Sequence, residues 1–593
     1  MAKLSQSTRM GSFKCNLGDD ALVISRFEGT EALSELFEYR LTVLSDDHNV
    51  DFDKILGTNC TLSIKSNYEN VKRYFNGVLV EAQWAGRVRS SDGDDFSSYR
   101  LILRPWFWLL TRTKNCRIFS QKSVPEIIND VFAKHAFAQS HNEVKLNGSY
   151  KPLEYCVQYN ETDFAFVSRL MEEYGIYYFF EHSEVDHKMV LIDSNGSLSD
   201  KAGGAKLDYY QNDLSAPGRG DALRSIIVDR RFRSGKFTFN DYDYKKPTAD
   251  LEADKDAGEH YTNASLEMYH FPGRYVEKSD GKSLASVALE AEQSQDRNVL
   301  ADGDAVTCCP GQLINLVGHS QSSVNKEYVT LRANHAFQSG GYVSGMGDGR
   351  ESYSGSYIFR AKDMPYRATL RTPKPVIYGP QTALVVSEVD DQCRIKVQFY
   401  WDREKSESRY VRIAHGWSGN KWGDIKIPRI GMEVIVEHLN GDPDYPLVTG
   451  TVYNADNVAP YDLPSDKSIS GVKSDTIDGS GYNEFIFDDR SGDELIRLHA
   501  QRNMKSTIEN DEDRKIGNKH TEDIGTEWSV TAGQKITFTV GASSITMDPM
   551  SIKLSSPNIQ LEAQAQLIMT SVGTADLTAG AVTTIKGAVV MIN

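Results

Sequence analysis

The sequence predicts a mainly β protein with some α, ending in a β-helix or β-prism shared by several identical chains. Three observations predict it. The last 63 residues, Thr531 to Asn593, hold six charged residues and one aromatic, Phe538, in a chain that is 25% charged and 10% aromatic overall. Short runs alternating apolar and polar residues recur along all 593 residues, and period 2 is the signature of a strand with one face inward. Stretches with helical spacing are few.

From the N-terminus, Leu22–Ile24, Tyr39–Val43, Cys60–Ile64 and Tyr99–Leu103 read as strands. The first marked helix opens on Ser123 with Glu126 three residues on, a capping box, and Pro125 in its first turn. Ile127, Ile128, Val131 and Phe132 then form one apolar stripe. A second helix spans about Thr162 to Tyr174, with Phe166, Val167, Leu170, Met171 and Tyr174 inward and Gly175 as its stop. The strand Ile176–Phe180 follows at once, and a third helix is expected over about Lys282 to Ser294. These elements make up an expected head of residues 1–373.

Residues 374–455 read as a separate small barrel. Its strands are Arg394–Tyr400, Tyr410–Ile413, Glu433–Glu437 and Leu447–Val452, a density that suits an OB-type barrel. The Ser/Asp/Gly-rich residues 456–483 read as a linker. Strands resume at Glu484–Phe487 and Glu494–Leu498, and the acidic run Glu509–Lys515 follows. The expected needle, residues 484–593, ends in the runs Ile536–Val540, Ile545–Met547, Ile552–Leu554 and Ile559–Ala563. With no large side chains, one copy cannot close a core, so the apolar faces must be buried against strands of other copies. An amyloid-like tail is the competing reading, but turn residues interrupt every run before it grows long.

The net charge of −16 and pI near 5.4 argue against nucleic acid as a partner, since phosphate binding needs a basic surface. They also disfavour anionic membranes, and no apolar run reaches the ~18 residues of a membrane helix. No stable membrane insertion is therefore expected. The N-terminal residues lack the apolar core of a secretory signal, so folding in the cytoplasm is expected. The seven cysteines, Cys15, Cys60, Cys116, Cys156, Cys308, Cys309 and Cys393, are odd in number and irregular in spacing, which predicts reduced thiols. Cys308-Cys309 reads as a strand entering a turn.

Several long blocks resemble one family. Phe27-Glu28-Gly29 with Leu33–Tyr39, Asn115–Phe119 running into Ser123–Ile128, and Tyr155–Phe164 continuing through Glu172–Phe179 are similar to the opening half of the VgrG spike proteins of type VI secretion systems. Trp401-Asp402-Arg403, Ile427–Val434 and Gly441–Pro446 resemble the same family's OB signature. The resemblance implies a tail-hub-like head of β-barrels with a few helices, an OB-fold barrel and a C-terminal trimeric β-helix. It implies a structural spike that acts as a homotrimer, sits on the Hcp tube, and joins baseplate components. It also implies delivery of effector proteins, a PAAR-type tip protein at the C-terminus, and puncture of the target membrane. Such a spike is assembled in the cytoplasm and secreted without a signal peptide. One departure is a loop from Leu384 to Cys393, shorter than the acidic hairpin usual in the family.

No catalytic motif is found: G-x-S-x-G, H-E-x-x-H and the phosphate-binding G-x-x-x-x-G-K-[ST] are all absent, so no enzyme activity and no cofactor are expected. The interval between barrel and needle is too short for a lysozyme domain. His182, Glu184 and His187 come nearest to a metal cluster but read as a solvated turn. Asp390-Asp391 and Asp442-Pro443-Asp444 read as turns rather than paired acids. Sugar binding by the barrel, and a carbohydrate-cleaving tail-spike, are rival readings; the only acids after Thr531, Asp548, Glu562 and Asp576, weaken the second. Ala588, Val589, Val590, Met591, Ile592 and Asn593 form the expected docking platform for the tip protein. No His follows His520 and no Cys follows Cys393, so that platform cannot hold a soft structural metal through those ligands.

Overall fold

Two β-barrels share one continuous sheet in the head. The computed structural model describes residues 4–66, 71–89, 93–210, 221–341 and 351–592. It divides into two units, Met1–Asp466 and Lys467–Asn593. In the first, Gly11–Lys14, Asn59–Lys65, Lys72–Arg89, Asp95–Arg104, Glu38–Ser45 and Val23–Ala32 follow one another across the sheet. Val23–Ala32 then pairs with Glu327–Gln338, placing Phe27 opposite both Leu41 and Phe337. From there the order is Ser352–Ala361, Asn298–Gly303, Ala222–Val228, Lys206–Tyr209 and Gln312–Val317. Gln312–Val317 pairs back onto Glu327–Gln338 through Leu313 and Val329, so this second set closes into a ring. The first set curls until its ends nearly meet at Gly11. A Cβ there would lie 2.6 Å from the Phe337 ring, so only glycine fits.

The alternation that predicts the strands also sets their faces. In Glu38–Ser45, Tyr39, Leu41 and Val43 point into the core while Arg40 points to solvent. The largest core joins the first barrel to helix α1 (Val124–Ala133), helix α2 (Asp163–Glu173) and the hairpin Tyr177–His182/His187–Ile192. In α1 the Glu126 carboxylate accepts the Ser123 N–H at 2.7 Å, as the capping box requires. In α2 the Thr162 hydroxyl accepts from the Ala165 N–H at 3.1 Å, and Gly175 takes the left-handed conformation beyond its end. The third helix, α3 (Lys278–Gln293), begins four residues before the expected Lys282, and no side chain caps its N-terminus. Cys308 and Cys309 lie in the turns after Asn298–Gly303 rather than in a strand, and both are buried.

The small barrel is closed by one bent strand. The order across its sheet is Arg394–Ile395, Val411–Ile413, Pro446–Val452, Glu433–His438, Gln381–Val385 and Val397–Phe399. Its two ends, Arg394–Ile395 and Val397–Phe399, are halves of the single strand expected over Arg394–Tyr400. They are broken at Lys396, whose N–H goes to the Ser387 hydroxyl at 2.8 Å. Five strands thus close a barrel, and the inward Ala383, Val385, Ile395, Val397, Phe399, Val411, Val434, Val436 and Val448 fill it. Full burial of each valine, isoleucine or phenylalanine there contributes roughly 1.5–3 kcal/mol.

In the second unit, residues 456–483, expected as a linker, contain the strand Ile469–Lys473. It pairs with Glu484–Asp488, which pairs in turn with Leu495–His499. Further on, Ile536–Val540, Ser543–Met547 and Ile552–Ser555 form an antiparallel meander. The expected strand Ile559–Ala563 is not formed. From residue 556 to 592 no described residue belongs to a strand.

Candidate functional site

The most unusual surface of this protein belongs to the second unit. Among its described residues only Glu484 and Ile486 are buried. Phe485, Phe487, Leu495 and Leu498 stand exposed on the first sheet, and Phe538, Val540, Ile552 and Leu554 on the meander. A two-faced sheet of three short strands holds itself together only when one face is covered. Apolar exposure on this scale marks an interaction surface. The missing strand at Ile559–Ala563 fits the same account: its alternation is that of a strand, but the chain offers it no edge to pair with. Its exposed backbone donors and acceptors are left to water or to a strand from another chain.

Five of the six residues of the expected docking platform are described. Ala588, Val589, Val590, Met591 and Ile592 are all exposed, with Met591 at 88% and Ile592 at 85% of full accessibility. None of these five residues belongs to a strand. Asn593 lies outside the described residues.

The head holds two buried polar networks that sequence spacing does not reveal. In the first, the Arg73 guanidinium reaches both oxygens of Glu31, at 2.9 and 3.1 Å. Burial opposes ionisation of Glu31, but Arg73 and His335 outweigh it and hold the carboxyl well below its usual range. His335 is depressed by its own burial and is neutral. It donates from Nε2 to Glu31 at 2.8 Å and accepts from the Tyr353 hydroxyl at Nδ1. Tyr39 donates to the other Glu31 oxygen at 3.0 Å.

His182 and His187 belong to this interior, which corrects the reading of them as a solvated turn. They face each other across the Tyr177–His182/His187–Ile192 hairpin. His187 donates from Nδ1 to Asn76 at 2.7 Å and accepts the Trp106 N–H at 2.8 Å. Burial holds it well below its usual value, and burial together with Arg73 pushes His182 down to about 3. The turn between them is solvated: Glu184 and Val185 are exposed. Among the described residues no group of three or more His, Cys, Asp or Glu is arranged to hold a metal.

The second network joins barrel and head. The Lys374 ammonium sits 2.6 Å from Asp442 and 2.5 Å from Asp444. Asp442 also meets Arg274 at 2.8 Å, and Asp444 accepts the Val157 N–H at 2.7 Å. The Asp442-Pro443-Asp444 turn is therefore also an ion-pair anchor. Asp390 holds its own loop: it accepts from the Gln392 and Arg394 N–H groups and pairs with the Arg394 side chain at 2.6 Å.

Comparison with known proteins agrees with that architecture. The phage tail baseplate hub (GPD) family matches residues 30–341. The type VI secretion system/phage-baseplate injector OB domain matches residues 381–453, and the bacteriophage T4 gp5 C-terminal trimerisation domain matches residues 470–550. The chain is 38% identical to the type VI secretion system spike protein VgrG1a of Pseudomonas aeruginosa, over 86% of this chain and 80% of that one. It is 36% identical to VgrG1b of the same organism, over 88% and 71%. An E. coli protein described as a type VI secretion component similar to T4 gp27 and gp5 shares the fold. Its TM-score is 0.53 at 18% identity, covering 74% of this chain and all of that one.

Proposed function

Because the chain belongs to the VgrG family of type VI secretion spike proteins, we propose that it works as a homotrimeric, non-enzymatic spike that is pushed through the envelope of a target cell. The observation that carries this reading is the second unit, whose apolar side chains find no cover within one chain. Three copies wound together would bury those faces and pair the strand-like segments after Ser555. A rod built so resists unzipping, because each chain's inner face is held by the other two.

In this reading the head caps the Hcp tube and meets the baseplate, and effector proteins travel with the spike. The PAAR-type tip protein docks on Ala588 to Asn593, where exposed Met591 and Ile592 offer an apolar seat. The assembled spike resides in the cytoplasm and leaves through the secretion machine into the medium or target cell. No helix of the described residues is long and apolar enough to cross a membrane.

Native mass spectrometry of the full chain tests the proposal. The expected result is a particle of three times the 66.4 kDa chain mass. A well-folded monomer at micromolar concentration would overturn it.

A further inference from the structure

The small barrel carries a second exposed apolar feature. After Val411–Ile413 the chain leaves the barrel as a hairpin, Ser418–Gly419 paired with Trp422–Gly423. Trp417 and Trp422 flank it, 66% and 57% exposed, with their rings edge to face at 4.8 Å. The pair is built in place. Lys421 adopts positive φ at the tip, the Asp424 N–H returns to the Trp417 carbonyl at 2.8 Å, and Gly419 leaves room for the Trp422 ring. A Cβ on Gly419 would lie 2.3 Å from that ring. Ile425 and Ile430 extend the apolar surface. Rigid, preordered tryptophans are the side chains that anchor protein interfaces.

Charge narrows the choice of partner. Residues 415–430 carry Lys421, Lys426 and Arg429 against Asp424 alone, on a chain of net charge −16. The same barrel carries an opposite surface: exposed Tyr400 and Tyr453, with Glu433 and Asp456. Tyr453 follows the strand Pro446–Val452, whose last residue lies opposite Glu433. Asn454 links the two acids, donating to Glu433 at 2.8 Å and accepting the Asp456 N–H at 3.0 Å, and burial with both carboxylates raises the Tyr400 hydroxyl above its usual range. Symmetry supplies the rest. In a ring of identical copies every contact is heterologous, one patch meeting a different patch on the next copy. Only residues 453–468 separate this barrel from the first strand of the trimerisation-domain match, a reach of at most ~55 Å. Short tethers of this kind give effective concentrations near millimolar.

Resting on the homotrimer proposed above, we infer that the Trp417–Trp422 hairpin of each copy docks on the Tyr400/Tyr453/Glu433/Asp456 face of the next copy's barrel. This contact locks the three barrels into a ring.

Hydroxyl-radical footprinting of Trp417 and Trp422 in the full-length protein tests the contact, with the native mass measured on the same sample. Several-fold protection of both residues, relative to an unstructured tryptophan peptide, is expected in the trimer. The variant carrying Lys421→Glu and Lys426→Glu should lose that protection while remaining trimeric. Adding Glu433→Lys and Asp456→Lys should restore it. As a second readout, the Lys421→Cys, Glu433→Cys double variant should form covalent dimers and trimers under mild oxidation, and neither single variant should. A trimer with freely reactive Trp417 and Trp422, protection by some other protein in place of the barrel face, or a charge swap that fails to restore protection would overturn the docking and leave the trimer standing. A monomeric mass would overturn both.

Discussion

Lys374 and Asp442 meet at 2.6 Å with both side chains almost wholly out of solvent, one from the segment that enters the barrel and the other from the turn between its strands Glu433–His438 and Pro446–Val452. Burial opposes the charge on Lys374, yet Asp444 and Asp442 hold its ammonium protonated above the usual range. Arg274 and the Val157 N–H close the remaining acceptors. The head and the barrel are joined by a desolvated ion-pair cluster in addition to apolar packing.

Lys374→Met should therefore destabilise the joint. Removing one partner strands two buried carboxylates, and breaking a buried pair costs about 3–5 kcal/mol. Thermal unfolding followed by scanning calorimetry should show a clear drop in melting temperature. An unchanged melting temperature would mean the cluster is not closed in solution.

Acidification should weaken the head from about pH 6.5 downward. His182, His187 and His335 are neutral in the fold, all depressed first by burial, and His182 lies at about 3. Between about 3 and the ordinary ~6.5 only the unfolded chain takes up the His182 proton, and the depressed His187 and His335 act in the same direction, so falling pH favours unfolding. Glu31 adds to the loss below its ordinary ~4.3, because its carboxylate is stabilised in the fold by Arg73. Stability measured against pH should be flat above 7 and fall steeply below 6. Replacing His335 by Gln should reduce that slope.

Much of this was legible in the sequence, and the exceptions have a common cause. The capping box at Ser123 and Glu126, the stop at Gly175 and the alternation in Glu38–Ser45 are local, so a few residues decide them. The link from Glu31 to His335 spans 304 positions, and no spacing rule reaches that far. His182 and His187 misled because the residues between them do form a polar turn, while the flanking strands carry the imidazoles inward. Barrel closure through the break at Lys396 was hidden for a similar reason: one strand serves two edges. The run Ile559–Ala563 reads as a strand because its pattern anticipates neighbours that one chain does not contain.

Thiol labelling should follow burial. All seven cysteines are free, and Cys60, Cys156, Cys308 and Cys309 are buried. Desolvation pushes the Cys60 and Cys309 thiols up to about 12, so neither forms thiolate near neutral pH. Iodoacetamide should modify the half-exposed Cys116 and Cys393 in the native protein and the four buried thiols only after denaturation. Non-reducing peptide mapping should find no intrachain bridge. A bridge whose reduction unfolds the protein would contradict this.

Deleting Ala588 to Asn593 should leave the particle mass and the head's melting temperature unchanged, because most of the needle remains. It should abolish capture of the tip protein and lower secretion-dependent killing of neighbouring cells. Pull-down of the tip protein at full strength by the truncated spike would place docking elsewhere.

The uncovered second unit also bears on inheritance. In the proposed homotrimer the needle's core exists only between chains, so it has no stability that belongs to a single gene product. A damaged copy would not simply go missing; it would be wound in with two sound ones and spoil them. In a cell expressing both, intact spikes would fall as the cube of the sound fraction, so a lesion in this segment should behave as dominant.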